Sequence, residues 1–460
     1  MPENLEKRLK RQIHGKLHRF TAIVPLGFEA TLVKELQQIG IAAENDSFET
    51  TDGKVIFTAK ITEAWKAVAH SRIANRVLMD IASFKAENFR ELEKKASEIP
   101  WELYLPPVTP DSLLVHVTCK HSRLYHSDAV AERFYDVIKG GSLPLASQTA
   151  RLNSINESTR PPRSRQHDSL RRVAFGSLTT PQQSRVSATP SAGTPRNAPQ
   201  HLYVSLLDDR CTVSLDLAGE ELYKRGHRRF VNDAPLKETI AAAMLFEAFK
   251  ILRLRATHSA QDDTKSFPRI TLIDPMAGSG TFSLEAAYMT NGLIPGKCRD
   301  FALKHQPAFK EATWNYIIKQ EDVIAAIRIL TSDISDKAID ITKHNVEASP
   351  LPKNSISPEK RDFFSYTPDE IDKLRNKSQA VIVLNPPYGK RLDANAPKLY
   401  ADIGKKLSEF KGCTVAILAP NGACTENLLK NCAALGHPST KVIKTSHGGI
   451  SLNCFVGKIC

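Results

Sequence analysis

From about residue 234 onward one pattern repeats: a short apolar run that ends at a turn, followed by a stretch with helical spacing. The runs fall at 270–274, 326–332, 380–384 and 414–419. Each is too short for a buried helix and too continuously apolar for a strand with one wet face. Strands covered on both sides have that character, and their alternation with helices predicts a mostly parallel sheet. A long helix over 236–254 precedes the first run, a further strand region lies before Asp362, and runs at 441–444 and 452–458 close the chain as two more strands. The second half is therefore expected to be an α/β domain built on seven strands.

The first half reads differently. A strand at 20–24, a helix over 29–39 with Leu32, Val33, Leu36 and Ile39 on one face and Gly40 as its stop, a strand at 55–58, a helix at 61–70 and a strand at 77–84 make a small α+β unit over 19–80. A second unit, 81–220, combines helices at 89–99 and 127–138 with a strand at 112–117 and a hairpin, 202–207 and 211–217, turning at Asp208, Asp209 and Arg210. Between its last helix and the hairpin, residues 142–200 hold ten Ser, six Thr, seven Pro and eight Arg without sustained periodicity, which predicts a disordered insertion. With 460 residues and 41% hydrophobic side chains the chain is long and apolar enough for several cores at roughly 100–200 residues each. It has no apolar stretch long enough to cross a bilayer.

Most of the net charge of +13 sits on two segments: residues 1–20 carry six basic and two acidic side chains, and 142–200 carries eight arginines against two acids. Basic arms of this kind hold phosphate backbones or simply keep a chain in solution. The eight cysteines include no C-x-x-C pair, so neither zinc nor a disulfide framework is expected, and a reducing cytoplasm fits best. The N-terminus has neither an apolar signal region nor the acid-poor character of a transit peptide.

Two motifs carry chemistry. Segment 272–281, LIDPMAGSGT, runs from a strand through a glycine turn into a helix. Gly278 and Gly280 permit close backbone approach, and the helix presents free N–H groups, so a nucleotide-like cofactor fits there; the same turn also closes a strand–helix corner with no ligand. Asp333, ending the next strand, is placed to accept two ribose hydroxyls. Asp362 is a candidate for an adenine amino group, whereas Asp336 opens a helix and is most simply a cap. Further on, a strand ends in Asn385, Pro386, Pro387, Tyr388 and Gly389. Consecutive prolines stiffen the chain and leave carbonyls untaken, and Asn385 adds a side-chain acceptor. Together they suit a planar exocyclic NH₂, with Tyr388 stacking on its ring.

The blocks DPMAGSGT, SDIS and NPPYGKRL resemble motifs I, II and IV of class I S-adenosylmethionine-dependent amino-methyltransferases. Segments 222–228 (LYKRGHR) and 234–239 (APLKET), with 122–126 (SRLYH), are similar to the THUMP-domain RNA methyltransferases, above all the bacterial enzymes that make N2-methylguanosine in 23S ribosomal RNA. The resemblance covers 19–141 and 201–460. It implies a ferredoxin-like domain (19–80), a THUMP RNA-binding domain (81–220) and a seven-stranded Rossmann-like methyltransferase domain (221–460), behind a basic arm (1–18). It implies S-adenosylmethionine as cofactor, held by Asp274, Pro275, Ala277, Gly278, Ser279, Gly280, Thr281, Asp333, Asp362 and Asn385. Asn385, Pro386, Pro387 and Tyr388 become the catalytic tetrad, and Lys120, Arg123, Arg225 and Arg228 the RNA contacts. Ala277 stands where the family commonly has Cys. The 142–200 insertion is not a family feature, and the second methyltransferase fused to some members is not implied. The chain lacks the Pro-Cys pair that pyrimidine-carbon methylation uses, which favours nitrogen as acceptor. No metal and no membrane are expected. Transfer RNA guanine-N2 methylation and a non-catalytic RNA-binding assembly factor are the alternatives. Trp65, Trp101 and Trp314 read as packing residues, Cys413 and Cys424 as buried apolar groups, and Glu285 as either a cofactor neighbour or a first-turn helix charge.

Overall fold

The computed structural model describes residues 4–107, 112–140, 199–227, 229–231, 235–259, 270–319, 327–375, 378–388 and 395–460. The insertion expected at 142–200 lies almost wholly outside them.

The N-terminal half contains α1 (Leu5–Leu9), β1 (His18–Ile23), α2 (Glu29–Ile39), β2 (Phe48–Thr51), β3 (Lys54–Ala59), α3 (Ile61–His70), β4 (Arg76–Lys85), α4 (Phe89–Ser97), β5 (Leu113–Lys120), α5 (Ser127–Lys139), β6 (Gln200–Leu207) and β7 (Arg210–Asp216). Gly40 closes α2 and Gly140 closes α5, both in the left-handed region that glycine enters without a Cβ clash. The strands form one sheet in the order β2-β3-β1-β4-β7-β6-β5. Residues 4–14 of the expected basic arm are folded. Asn4 caps α1 by accepting the Glu6 N–H, a π-helical turn at Lys10–His14 follows, and Ile13 is buried in the core beneath it. The boundary expected at 80/81 falls inside β4, which pairs with β1 at one end and with β7 along its length. The two N-terminal units therefore share a sheet.

The second half contains α6 (Glu238–Ser259), β8 (Ile270–Asp274), α7 (Thr281–Thr290), α8 (Glu311–Ile317), β9 (Ile327–Asp333), α9 (Asp336–Glu347), β10 (Pro358–Lys360), α10 (Pro368–Arg375), β11 (Gln379–Leu384), α11 (Ala396–Glu409), β12 (Thr414–Pro420), α12 (Ala423–Asn431), β13 (Lys441–His447) and β14 (Ile450–Lys458). Its seven strands take the order β10-β9-β8-β11-β12-β14-β13, with only β14 antiparallel to its neighbours. Successive side chains enter opposite cores: Leu272, Val381 and Val383 pack on one face, Ile273, Ile382 and Leu384 on the other with Tyr400, Ile403 and Leu407 of α11. The first of these cores continues into the N-terminal half through Phe20, Trp65 and the apolar stretch of α6. Polar contacts rivet the same junction, where Thr31 Oγ1 donates to Glu247 Oε1 at 2.7 Å and Lys441 Nζ meets Glu247 Oε1 at 2.7 Å.

Candidate active site

Strand β8 lies between β9 and β11, so the chain order reverses direction there. In parallel sheets the crevice outside the strand C-termini at that point receives ligands. The loops after β8, β9, β10 and β11 meet along this edge, and they carry Asp274 to Thr281, Asp333, Asp362 and Asn385.

The turn after β8 is held from three sides. Ala277 N donates to Ser332 O at 3.0 Å, Gly280 N to Ala277 O at 2.8 Å, and Gly278 N to Asp333 Oδ2 at 2.9 Å. Thr342 Oγ1 donates to Gly278 O and Asn345 Nδ2 to Ser279 O, at 3.1 and 2.9 Å. The two glycines serve different ends. At Gly280 (φ +76°) an added Cβ would stand 2.7 Å from Thr342 Cγ2, so the close approach is to α9 of the same chain. At Gly278 (φ +58°) an added Cβ would meet nothing within 4 Å, and this is the side left open to a ligand. Pro275 is buried beneath the turn, whereas Ala277 is half-buried at its crest. Ser279 and Thr281, both buried, face Arg229, whose Nη2 lies 3.1 Å from Thr281 Oγ1 and whose other end pairs with Glu238.

Asp274 is 1% exposed; its Oδ2 accepts from Ser283 Oγ at 2.7 Å, while Oδ1 is buried without a partner. Burial, with the neighbouring Asp333 charge adding to it, pushes this carboxyl up to about 7. Asp362 accepts the Phe364 N–H at 3.0 Å and so caps the turn Phe363–Ser365. Asp336 is not the cap of its helix: Ser335 is, and Asp336 instead meets Lys360 Nζ at 2.7 Å. Close in sequence to Asp333 and Asp362, Ile334 and Phe364 expose apolar surface where polar side chains are the rule, at 65% and 38%. Strands β9 and β10 pair with Asp333 opposite Lys360, which puts both apolar groups on one rim.

At the end of β11, Asn385 Oδ1 is buried and has no hydrogen-bond partner, a costly state for an amide oxygen unless a ligand satisfies it. Pro386 is buried and Pro387 exposed. Tyr388 is 7% exposed, and its hydroxyl lies 3.0 Å from His447 Nδ1. The open side of Gly278 and the unpaired amide oxygen of Asn385 occupy loops of adjacent strands, a fit to a cofactor over the glycine turn and an amine beside it.

The expected RNA contacts divide. Lys120 is exposed, and Arg123 is exposed while pairing with Glu87 and Asp209. Arg228 lies outside the described residues. Arg225 is a correction: it is 4% exposed, grips Glu285 through Nε and Nη2 at 3.0 Å each, and donates to Leu222 O and Arg72 O. Buried and bonded inside the protein in this way, it is not presented to a phosphate. Glu285 in turn lies beyond the first turn of its helix and neutralises this arginine in the core. A carboxylate inside the otherwise apolar run of α7 was the available signal for such a pair. Cys413 and Cys424 are buried, with burial pushing the Cys413 thiol up to about 11, so neither offers a thiolate. Trp65 and Trp314 are buried, and Trp101 donates to Ala96 O. Among the described residues no group of His, Cys, Asp and Glu is placed to hold a metal ion, and no helix is long and apolar enough to cross a membrane.

Comparison with known proteins agrees with this geometry. Residues 225–447 match the family of RMKL-like methyltransferase domains, and residues 19–78 match the RlmL ferredoxin-like domain. The chain is 26% identical to "Putative RNA methyltransferase YpsC" of Bacillus subtilis, with 96% of each chain covered. It is 28% identical to "Ribosomal RNA large subunit methyltransferase K/L" of Allochromatium vinosum over 87% of this chain and 47% of that one, so it spans about half the length of that relative. In fold it is similar to "SMU.472, a putative methyltransferase complexed with SAH", at TM-score 0.66 and 24% identity over 96% and 98% of the two chains. It is also similar to TrmN from Thermus thermophilus, at TM-score 0.55 and 16% identity over 96% and 100%. The seven-stranded half thus has a class I methyltransferase fold, and the chain carries an RMKL-like methyltransferase domain behind an RlmL-type ferredoxin-like domain.

Proposed function

We propose that the protein transfers a methyl group from S-adenosylmethionine to the exocyclic N2 of a guanine in large-subunit ribosomal RNA. The observation that carries this reading is the buried, unpartnered Oδ1 of Asn385, at the end of the strand next to the glycine turn. An amine N–H is the donor it lacks. The ribosomal substrate follows the names of the K/L relatives, about half of whose length this chain matches.

In this reading Gly278 leaves room for the cofactor over the turn, Asp333 accepts its ribose hydroxyls, and Ile334 and Phe364 cover its adenine, with Asp362 beside the amino group. The bound cofactor supplies an already activated methyl group. Asn385 Oδ1 and the Pro386 carbonyl accept the two N–H groups of the target amine, aiming its nitrogen lone pair and favouring the positive charge that grows on it during transfer. Because only 7% of Tyr388 meets solvent, the base reaches this ring by entering the cleft, not by lying across its mouth. Flipping the base costs a few kcal/mol, and stacking of about 1–3 kcal/mol offsets part of that. Residues 81–220 serve as the THUMP-type docking module, with Lys120 and Arg123 at its exposed RNA-facing positions, and the enzyme works in the cytoplasm.

The test is to incubate the protein with radiolabelled S-adenosylmethionine and, separately, large-subunit rRNA and bulk tRNA, then digest to nucleosides. Label in N2-methylguanosine from rRNA is expected. Label only in tRNA overturns the substrate, and the absence of label in either RNA overturns the activity.

A further inference from the structure

The C-terminal hairpin reaches the target-amine end of the sheet through one side chain. His447 is the last residue of β13, and Gly448 and Gly449, with φ of 58° and 79°, turn the chain into β14. Strand β13 is the outer strand of its sheet, with β14 and β12 between it and β11. Even so, His447 Nδ1 lies 3.0 Å from the Tyr388 hydroxyl, and the two rings stand at 85° with centroids 6.1 Å apart. The contact joins residues 59 apart in sequence and spans the C-terminal edge of the sheet.

A phenol packed along its sides still swings at its free end. A partner at the hydroxyl removes that freedom, whichever of the two groups carries the shared proton. We propose that His447 is a positioning residue for methyl transfer: by holding the Tyr388 hydroxyl it sets the plane of the ring on which the target base stacks, and through that the approach of the amine held by Asn385. The inference rests on the reading of Asn385 to Tyr388 as the target-amine site. Its expected kinetic weight follows from how steeply transfer depends on alignment, since a misplacement of about 1 Å costs on the order of a hundredfold.

Two measurements separate the inference from that reading. In full-length protein labelled with 3-fluorotyrosine, the fluorine resonance of Tyr388 is assigned by its loss in Tyr388→Phe. His447→Ala is expected to shift or broaden that resonance, and an unmoved resonance overturns the inference whether or not the protein methylates RNA. With radiolabelled cofactor and large-subunit rRNA, His447→Ala is expected to lower kcat roughly tenfold. The melting temperature and the equilibrium-dialysis Kd for S-adenosylmethionine stay at wild-type values. His447→Asn, which returns a hydrogen-bonding atom near the Nδ1 position, is expected to recover most of the rate. In a Tyr388→Phe background, His447→Ala is expected to cost nothing further, because the hydroxyl it acts through is gone. Wild-type kcat in His447→Ala, or full additivity with Tyr388→Phe, overturns the positioning role. Absence of transfer by the wild-type protein overturns the proposed function instead, and the fluorine resonance still decides the contact.

Discussion

The carboxylate of Asp333 accepts the Gly278 N–H through Oδ2 and the Ser335 N–H through Oδ1, each at 2.9 Å. One side chain at the end of β9 thus fixes the turn after β8 and the start of α9, and it holds its own orientation before any ligand arrives. Asp333→Ala removes both the brace and the proposed ribose acceptor. Cofactor affinity is expected to fall about 10–100-fold, the weight of one or two charge-assisted hydrogen bonds. Equilibrium dialysis measures this directly, and turnover at saturating cofactor should change far less. An unaltered Kd would place the ribose elsewhere.

Asn385→Ala tests the other half of the cleft. In the proposed reading the lost acceptor serves the target amine more than the cofactor, so kcat is expected to fall on the order of a hundredfold or more, as when one preorganised transition-state contact is deleted. The Kd for S-adenosylmethionine should stay within about twofold. Since the wild-type Oδ1 is buried without a partner, its removal also relieves a buried polar atom. The variant is therefore expected to melt no lower than wild type, which distinguishes lost chemistry from lost folding.

Asp274 gives a pH signature. Its folded carboxyl is raised to about 7 by burial and by the Asp333 charge, against about 3.9 in an unfolded chain. Between those values the folded protein keeps a proton that the unfolded chain has released. Its contribution to stability is therefore complete at low pH and is lost as pH rises from about 4 to about 7. Asp274→Asn has no such loss, and its amide oxygen still accepts from Ser283. The melting temperature of the variant minus that of wild type is expected to grow between pH 5 and pH 8, reaching the equivalent of roughly a few kcal/mol. A difference that stays flat across that range shows the carboxyl to be ionised in the folded protein.

The elements most legible in sequence were those whose side chains all face one environment. Strand β8 matches its expected limits because each of its five residues is buried, and helix α3 does so because its apolar face is unbroken. Strand β2 (FETT), which the sequence did not suggest, lies at a sheet edge with its side chains largely in water, whereas β10 (PEK), at the edge of the other sheet, is the short strand region expected before Asp362. The first segment reads as a basic arm by charge, yet Ile13, with Leu9 packed beside it, anchors its helical turn to the core. In the cleft, the glycine turn, Asp333 and Asn385 were legible because each motif is contiguous. The Tyr388–His447 contact and the Arg225–Glu285 pair were not, because each joins residues about sixty positions apart that only the closed sheet brings together.

That last pair makes a prediction of its own. Arg225 and Glu285 are both almost fully buried, and besides each other the arginine serves the carbonyls of Arg72 and Leu222, so it ties β4's entry loop, the segment at 222–225 and α7 together. Burial disfavours the charged guanidinium, but the Glu285 carboxylate more than reverses this and holds its pKa above the ordinary arginine value. Arg225→Met strands Glu285 as an unpaired charge in the core and is expected to cost about 3–5 kcal/mol. Arg225→Met with Glu285→Met removes both charges and should recover much of that loss, which thermal unfolding of the two variants will show. A phosphate-binding arginine behaves otherwise. Its loss would lower the slope of RNA affinity against salt by nearly one and leave folding unharmed. For Arg225 the slope is expected to stay at the wild-type value wherever the double variant is folded, so a reduced slope there would return this residue to the RNA surface.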